Sequence, residues 1–260
     1  MPIITLTTDL GINDHYVGAL KGTILSQMPE AIIVDITHLV PPFNIHHAAY
    51  ILKNAYPNFP KETVHILGVN AESSAEQKHL AIYCDGHYFI GADNGAFSIL
   101  FEKVPDKIVD LSNLRQDTEL LTFPVRDVFV KAACHIARGG TLEILGAEQN
   151  SFSKVDLFQP ALENNSIQTV ITYIDSYGNA VLNITRPFFN EAVKGRKFAI
   201  EFPPGEEITS ISLTYSDVPK GEISALFNSA GYLELSMNQG KISEMYGAGI
   251  NNIITIRIEE

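Results

Sequence analysis

Apolar and polar positions along this chain follow two different periods, and the change comes close to residue 165. The earlier part alternates strand-like runs with stretches of helical spacing, which is how a largely parallel sheet is written. Residues 3–8 form a short apolar strand, and residues 16–28 then place Val17, Leu20, Ile24 and Leu25 on one helical face. A strand at 31–36 precedes a helix at 45–56, and a third strand follows at 63–69. Residues 80–83 and 88–91 flank Asp85-Gly86-His87, a hairpin turn. Residues 96–102 read as helix, 107–111 as extended chain, and 125–137 as a helix ended by Gly139-Gly140.

Beyond residue 165 the period is two. Residues 167–174, 180–184, 197–202, 208–215, 231–237 and 253–258 all alternate between short turns, which predicts a small antiparallel barrel or sandwich. Residues 151–165 are polar, contain Pro160 and show neither period, so they read as a linker. The expected organisation is an α/β N-terminal domain with a mostly parallel sheet at 1–150 and a smaller all-β barrel domain at 166–260. No internal repeat or low-complexity tract interrupts either part.

Composition narrows the function classes. A formal net charge of -12 with no Lys or Arg cluster argues against a nucleic-acid binder. No apolar run reaches bilayer-spanning length and the N-terminus has no signal-peptide pattern, so no membrane partner is expected and the cytoplasm is the expected location. Cys84 and Cys134, far apart, favour neither a disulfide framework nor a thiolate metal site.

The candidate chemistry sits in turns. Residues 173–184 read as a hairpin, yet Asp175, Asn179 and Asn183 lie in or beside its strands, where carboxylates and amides are depleted. They serve either a solvated turn that bonds its own backbone or the edge of a purine. Asp9 ends the first strand before a glycine turn, where it could cap the next helix or accept from a ribose diol. Asp14 reads as the helix cap. Residues 91–95, Gly-Ala-Asp-Asn-Gly, and 228–231, Asn-Ser-Ala-Gly, are further polar turns, the second presenting Ser229. Phosphate-cradling, dinucleotide and HExxH patterns are absent. His46 and His47 point about 100° apart on a helix and make a poor metal pair. Gly18 and Gly22 read as a close-packing face, and Cys134 and His135 as packing residues.

With these segments in order, the chain resembles the S-adenosylmethionine (SAM) hydroxide adenosyltransferase family, which also contains the fluorinating and chlorinating enzymes. The likeness runs through ITLTTDLGINDHYVGALKG at 4–22, VDITHLVPPFNIHHAAYIL at 34–52, GADNG at 91–95, TFPVRDVFVKAACHIARG at 122–139, YIDSYGNAVLNI at 173–184 and NSAGYLELSMNQG at 228–240. It implies a homotrimer whose nucleoside ligand lies between the N-terminal domain of one subunit and the barrel of its neighbour. It also implies that Asp9 holds the ribose hydroxyls and that Asp175, Tyr177 and Asn179 surround the adenine. Ser229 would hold the methionine carboxylate and Phe123 wall the reaction centre. Asn70, Met237 and Gln239 complete the implied ligand-binding set. The implied reaction cleaves SAM to adenosine and methionine at C5′, without metal or organic cofactor.

The chain departs from that pattern where water is activated. The family uses an Asp, an Arg and a His, and the corresponding positions here read Asn70, Gln77 and Pro124. An amide takes no proton at neutral pH and proline has no ring nitrogen. Val125 stands where halogenating relatives present a small residue, and Ala230 where an Arg often clamps the carboxylate. Glu72, Glu76, His79 and Arg126-Asp127 are the available substitutes. A non-catalytic nucleoside sensor, or an enzyme for another adenosine derivative, are therefore the alternative functions.

Overall fold

Alternating apolar runs and helices in the first part of the chain assemble one mixed sheet with helices on both faces. The computed structural model describes residues 2–72, 77–111, 113–114, 122–202 and 205–259. The chain divides into two compact units, Met1–Val155 and Asp156–Glu260. The first contains β1 (Ile3–Thr8), α1 (Tyr16–Gln27), β2 (Ile32–Thr37), α2 (Ile45–Ala55), β3 (Val64–Gly68), β4 (His79–Cys84), β5 (His87–Ala92), α3 (Ala96–Leu100) and β6 (Lys107–Asp110). A π-helical turn, Val125–Phe129, then leads into α4 (Val130–Ala137).

The strand order is β2-β1-β3-β5-β4-β6. β1 pairs in parallel with β2 and β3, and β3 with β5, while β4 runs antiparallel to both β5 and β6. Strand alternation sends Ile4, Leu6 and Ile66 to one face, packed with Leu20 and Ile24 of α1 and Val130 and Ala133 of α4. The opposite face packs Leu67 and Phe89 against Ala48 and Leu52 of α2 and Phe97 of α3. Each fully buried Leu, Ile or Phe here contributes roughly 1.5–3 kcal/mol. Because β1, β3 and β5 point the same way, the loops that follow them gather at one end of the sheet.

Helix α1 differs from its expected face. Leu20 and Ile24 are buried, but Leu25 is 45% exposed. Gly18 and Gly22 are exposed, and a Cβ added at either would meet nothing within 4 Å, so they are not a packing face within this chain. Asp14 does not cap the helix. The N-cap is His15, without a side-chain bond.

The second unit contains β7 (Ala161–Glu163), β8 (Ser166–Ile174), β9 (Ala180–Thr185), α5 (Arg186–Val193), β10 (Phe198–Phe202), β11 (Glu206–Ile208), β12 (Ile211–Ser212), β13 (Ile223–Phe227), β14 (Tyr232–Met237), α6 (Ile242–Met245) and β15 (Ile253–Ile258). Their order is β11-β10-β15-β8-β9-β14-β13-β12, with β7 paired to β8. The two ends of that path, β11 and β12, are neighbours in the chain, so the sheet is a nearly closed barrel. Ile167, Leu182, Ile200, Leu233, Leu235 and Ile256 fill its interior. The expected strand at 208–215 is broken, because Asp217 accepts from the backbone N–H of Leu213 and Thr214 and turns the chain away after β12. Within 151–165, Ala161–Glu163 is a short strand, and Ser153 and Val155 donate backbone N–H bonds to Asp93 and Ser98 of the first unit's fold.

Candidate functional site

In the first unit the polar residues converge on Asp9, which leaves β1 at the carboxyl end of the sheet. Its Oδ2 accepts the backbone N–H of Phe43 at 2.9 Å and that of Asn70 at 3.4 Å. These donors come from the segments after β2 and β3, so three strand ends meet at one carboxylate. Asp9 does not cap α1. No described residue donates to its Oδ1. The grip on Oδ2 has a backbone cost. Phe43 and Asn70 adopt φ 64 and 46, a region that costs L residues roughly 1–2 kcal/mol. The Phe43 ring is 71% exposed, and Ile12 and Leu39 are exposed as well, so apolar side chains stand around this end of the sheet.

The loop after β3 is held by amides. Gln77 Nε2 donates to the Asn70 carbonyl at 3.0 Å and also to that of Glu72. Asn94 Nδ2 donates to the carbonyls of Val69 and Asn70 at 3.0 and 3.2 Å, while its Oδ1 accepts from Ala96 N. The 91–95 turn is thus both ordinary turn chemistry and the anchor of the neighbouring loop. The Asn70 side chain bonds to none of the described residues. His79 is buried, its Nε2 donating to the Ala71 carbonyl at 2.9 Å and its ring edge-on to Phe129. Glu76 lies outside the described residues, and the Glu72 side chain is exposed.

Phe123 lies edge-on to Tyr16 with ring centroids 5.4 Å apart, and the Arg126 guanidinium sits 5.2 Å from its ring centroid. Arg126 in turn grips Asp127 with two bonds of 2.6 and 3.0 Å. Pro124 opens the π-helical turn, and Val125 presses on β3 so closely that a Cβ at Gly68 would lie 2.8 Å from it. A π-helical turn at such a place marks functional segments often enough to note.

In the second unit the 175–179 turn is organised by Asp175. Its Oδ1 accepts from Tyr177 N and Asn179 N at 2.9 and 2.8 Å, and its Oδ2 from Asn179 Nδ2 at 3.0 Å. The backbone-bonding reading of Asp175 is therefore realised in the fold. One donor of the Asn179 amide is spent on it, which leaves the second N–H and Oδ1. Tyr177 is 75% exposed at the turn's tip. Asn183 accepts from Thr169 Oγ1 and Val170 N and donates to the Phe158 carbonyl, a structural tie between β8, β9 and the 151–165 segment.

Strand β14 orders the remaining residues. Ala180, next to Asn179, pairs with Leu235, so the 175–179 turn lies toward the Met237–Gln239 end. Ser229 lies beyond the other end, across a strand roughly 17–20 Å long. Ser229 and Gln239 are exposed and Met237 is buried. Between the two ends lies a residue the sequence reading passed over, Glu234. It is 3% exposed and accepts from Tyr215 Oη at 2.9 Å and Asn228 Nδ2 at 3.0 Å. Burial raises its pKa, its two hydrogen bonds counteract this, and Asp175 adds to the rise. Burial and the bond to Glu234 likewise push the Tyr215 phenol up. An acidic residue between Leu233 and Leu235 is the signal that alternation gave, but alternation assigns it to solvent.

Comparison with known proteins shows the family of the chain. The model of the SAM hydroxide adenosyltransferase N-terminal domain matches residues 4–146, and that of the C-terminal domain residues 169–255. An (R)-S-adenosyl-L-methionine hydrolase of Methanocaldococcus jannaschii is 34% identical over 191 residues, covering 72% of this chain and 68% of that protein. One from Thermus thermophilus is 29% identical over 252 residues, covering 92% and 93%. A fluorinase of an Actinoplanes species is 23% identical over 289 residues, covering 98% and 97%. The crystal structure of an uncharacterized conserved protein from Thermotoga maritima superposes with a TM-score of 0.89 at 28% identity, covering 99% of this chain and 100% of that one. The chain belongs to the SAM hydroxide adenosyltransferase family.

Proposed function

We propose that the protein binds SAM through its adenosine part and cleaves it to adenosine and methionine. The observation that carries this reading is Asp9, whose Oδ2 is fixed by two backbone donors while Oδ1 stays open at the carboxyl end of a parallel sheet. That is the arrangement a ribose diol requires, two hydroxyl donors meeting one oriented carboxylate. Relatives named as SAM hydrolases at 29–34% identity support the same chemistry. In the reaction a water oxygen bonds C5′ as the C5′–S bond breaks. The sulfur keeps the electron pair as neutral methionine thioether, and the water proton passes to a base. The sulfonium is already a good leaving group, so positioning carries most of the burden.

The two compact units read as an α/β domain and a barrel domain. We read the assembly as a homotrimer with the nucleoside between the first domain of one subunit and the barrel of the next. In this reading Tyr177 and Asn179 meet adenine, Asn70 and Phe123 face the ribose, Met237 and Gln239 line the adenine end, and Ser229 meets the amino-acid end. Exposed Ile12, Leu39 and Phe43 beside Asp9, and exposed Tyr177, Leu213 and Met245 on the barrel unit, are the apolar surfaces such an assembly would cover.

A second reading, nucleoside binding without cleavage, is favoured by one observation. The Gln77 amide is engaged by the backbone carbonyls of Asn70 and Glu72, and Asp127 is already paired with Arg126. The test is direct. Purified protein is incubated with SAM, adenosine and methionine are followed by chromatography, and SAM and adenosine are titrated by calorimetry. Turnover well above the spontaneous rate eliminates the sensor. Tight adenosine binding without product eliminates the hydrolase. A ligand other than SAM is indicated if adenosine binds and SAM does not.

A further inference from the structure

Beside Asp9 runs a chain of polar side chains that no step above uses. Thr8 and His38 are both buried, and Thr8 Oγ1 lies 2.8 Å from His38 Nδ1. His38 Nε2 lies 3.1 Å from Asp35 Oδ1, and the other Asp35 oxygen accepts from Lys21 of α1. The proton positions follow from the partners. Thr8 Oγ1 already accepts from Leu10 N at 3.4 Å, so donation from His38 as well would leave a buried hydroxyl proton without an acceptor. The Thr8 hydroxyl therefore donates to Nδ1, which leaves the proton on Nε2, close to Asp35 but without the geometry of a hydrogen bond to it. The backbone repeats the connection: Gly11 N donates to the His38 carbonyl at 2.8 Å and Val40 N to the Thr8 carbonyl at 3.3 Å. Segment 38–43 is thus anchored to Thr8 at one end, and at the other its Phe43 N–H grips the Asp9 carboxylate.

We propose that His38 is a positioning residue for ribose recognition: by tying segment 38–43 to Thr8, it sets where Phe43 N–H holds Asp9 and hence where Asp9 Oδ1 points. The proposal rests on the nucleoside-binding reading and adds to it a residue that touches no ligand. His38→Phe keeps the ring volume and removes both nitrogens. Thr8→Val removes the hydroxyl at nearly constant volume.

Calorimetry with adenosine and 2′,3′-dideoxyadenosine separates positioning from general support, because the second nucleoside has no hydroxyls for Asp9. Wild-type protein should prefer adenosine. Each variant should lose about tenfold in adenosine affinity, the value of one well-placed hydrogen bond, with dideoxyadenosine affinity unchanged. The double variant should lose no more than Thr8→Val alone, since that change already removes the link that His38→Phe cuts. His38→Asn, whose amide oxygen can stand near the Nδ1 position, should recover most of the preference. Thermal melts check folding, and Thr8→Val carries the test if His38→Phe does not fold. Equal losses for both nucleosides, or an unchanged preference in the variants, overturn the role of His38 while leaving nucleoside binding intact. Wild-type protein that binds neither nucleoside overturns the binding reading and this proposal with it.

Discussion

Phe43 reaches Asp9 with its backbone, not its ring: the N–H donates to Oδ2 at 2.9 Å while φ is 64 and the ring stands 71% exposed. A bulky residue held in the left-handed region with its side chain in solvent is poor design for stability alone.

Phe43→Gly should therefore leave the fold as stable as wild type or slightly more so. Glycine removes a strain of roughly 1–2 kcal/mol and restores roughly 0.5–1 kcal/mol of lost chain entropy to the cost side. Little apolar burial is forfeited. The same variant should weaken nucleoside binding, since the exposed ring borders Asp9's end of the sheet. Chemical denaturation and calorimetry check the two halves. A clear loss of stability would show that the ring is a packing residue.

Tyr177 and Asp175 should separate in the same way. Tyr177 packs little, so Tyr177→Ala should lower adenosine affinity with a melting temperature near wild type. Asp175→Ala removes three hydrogen bonds that shape the turn, at about 1 kcal/mol net each, so stability and binding should fall together. Equal behaviour of the two variants in thermal melts would contradict this division.

Much of the scaffold was legible because period and turn chemistry agreed. The 79–92 hairpin, the strand at Ile253–Ile258 and the helix from Val130 all sit where alternation or helical spacing put them. The omissions have physical causes. Arg186–Val193 is a helix of eight residues, signalled by Thr185 as cap and Pro187 in its first turn, but too short for periodicity to register. Ile223–Phe227 was passed over although five of its residues pair with β14. In the site, Asp9 was legible from its place after an apolar strand. Phe43 was not, since its contribution is a backbone N–H and a positive φ that its side chain does not announce. Glu234 was hidden because alternation sends it outward, whereas Tyr215 and Asn228 cover it.

The turn at Gly178 and the helix at Gly18 predict opposite signs for one substitution. Gly178 has φ 79, and a Cβ there would lie 2.7 Å from Lys241 Cβ, so Gly178→Ala should destabilise by more than about 1 kcal/mol. Gly18 lies inside α1 with open space around it, so Gly18→Ala should stabilise the monomer fold by roughly 0.5–1 kcal/mol. Urea titration at low protein concentration reads both. A destabilised Gly18→Ala protein would instead indicate that this helix face is covered by another copy.

Acid should attack the first unit through His65. Its Nδ1 is 2.7 Å from Thr5 Oγ1 and its Nε2 is 3.3 Å from His87 Nδ1, under the rings of Phe89 and Tyr56. Burial, with a smaller effect of His87, lowers its pKa to about 3, and burial lowers that of His87 too. The unfolded chain, with ordinary histidines, binds these protons first as pH falls. Stability is thus unaffected by His65 above about pH 6.5 and declines below it by about 1.4 kcal/mol per pH unit, until His65 itself titrates near pH 3. His65→Asn, measured by urea unfolding from pH 7.5 to 4, should cost stability at neutral pH yet show a slope shallower by about one proton. A variant whose pH slope matches wild type would mean that another group takes up the acid-linked proton.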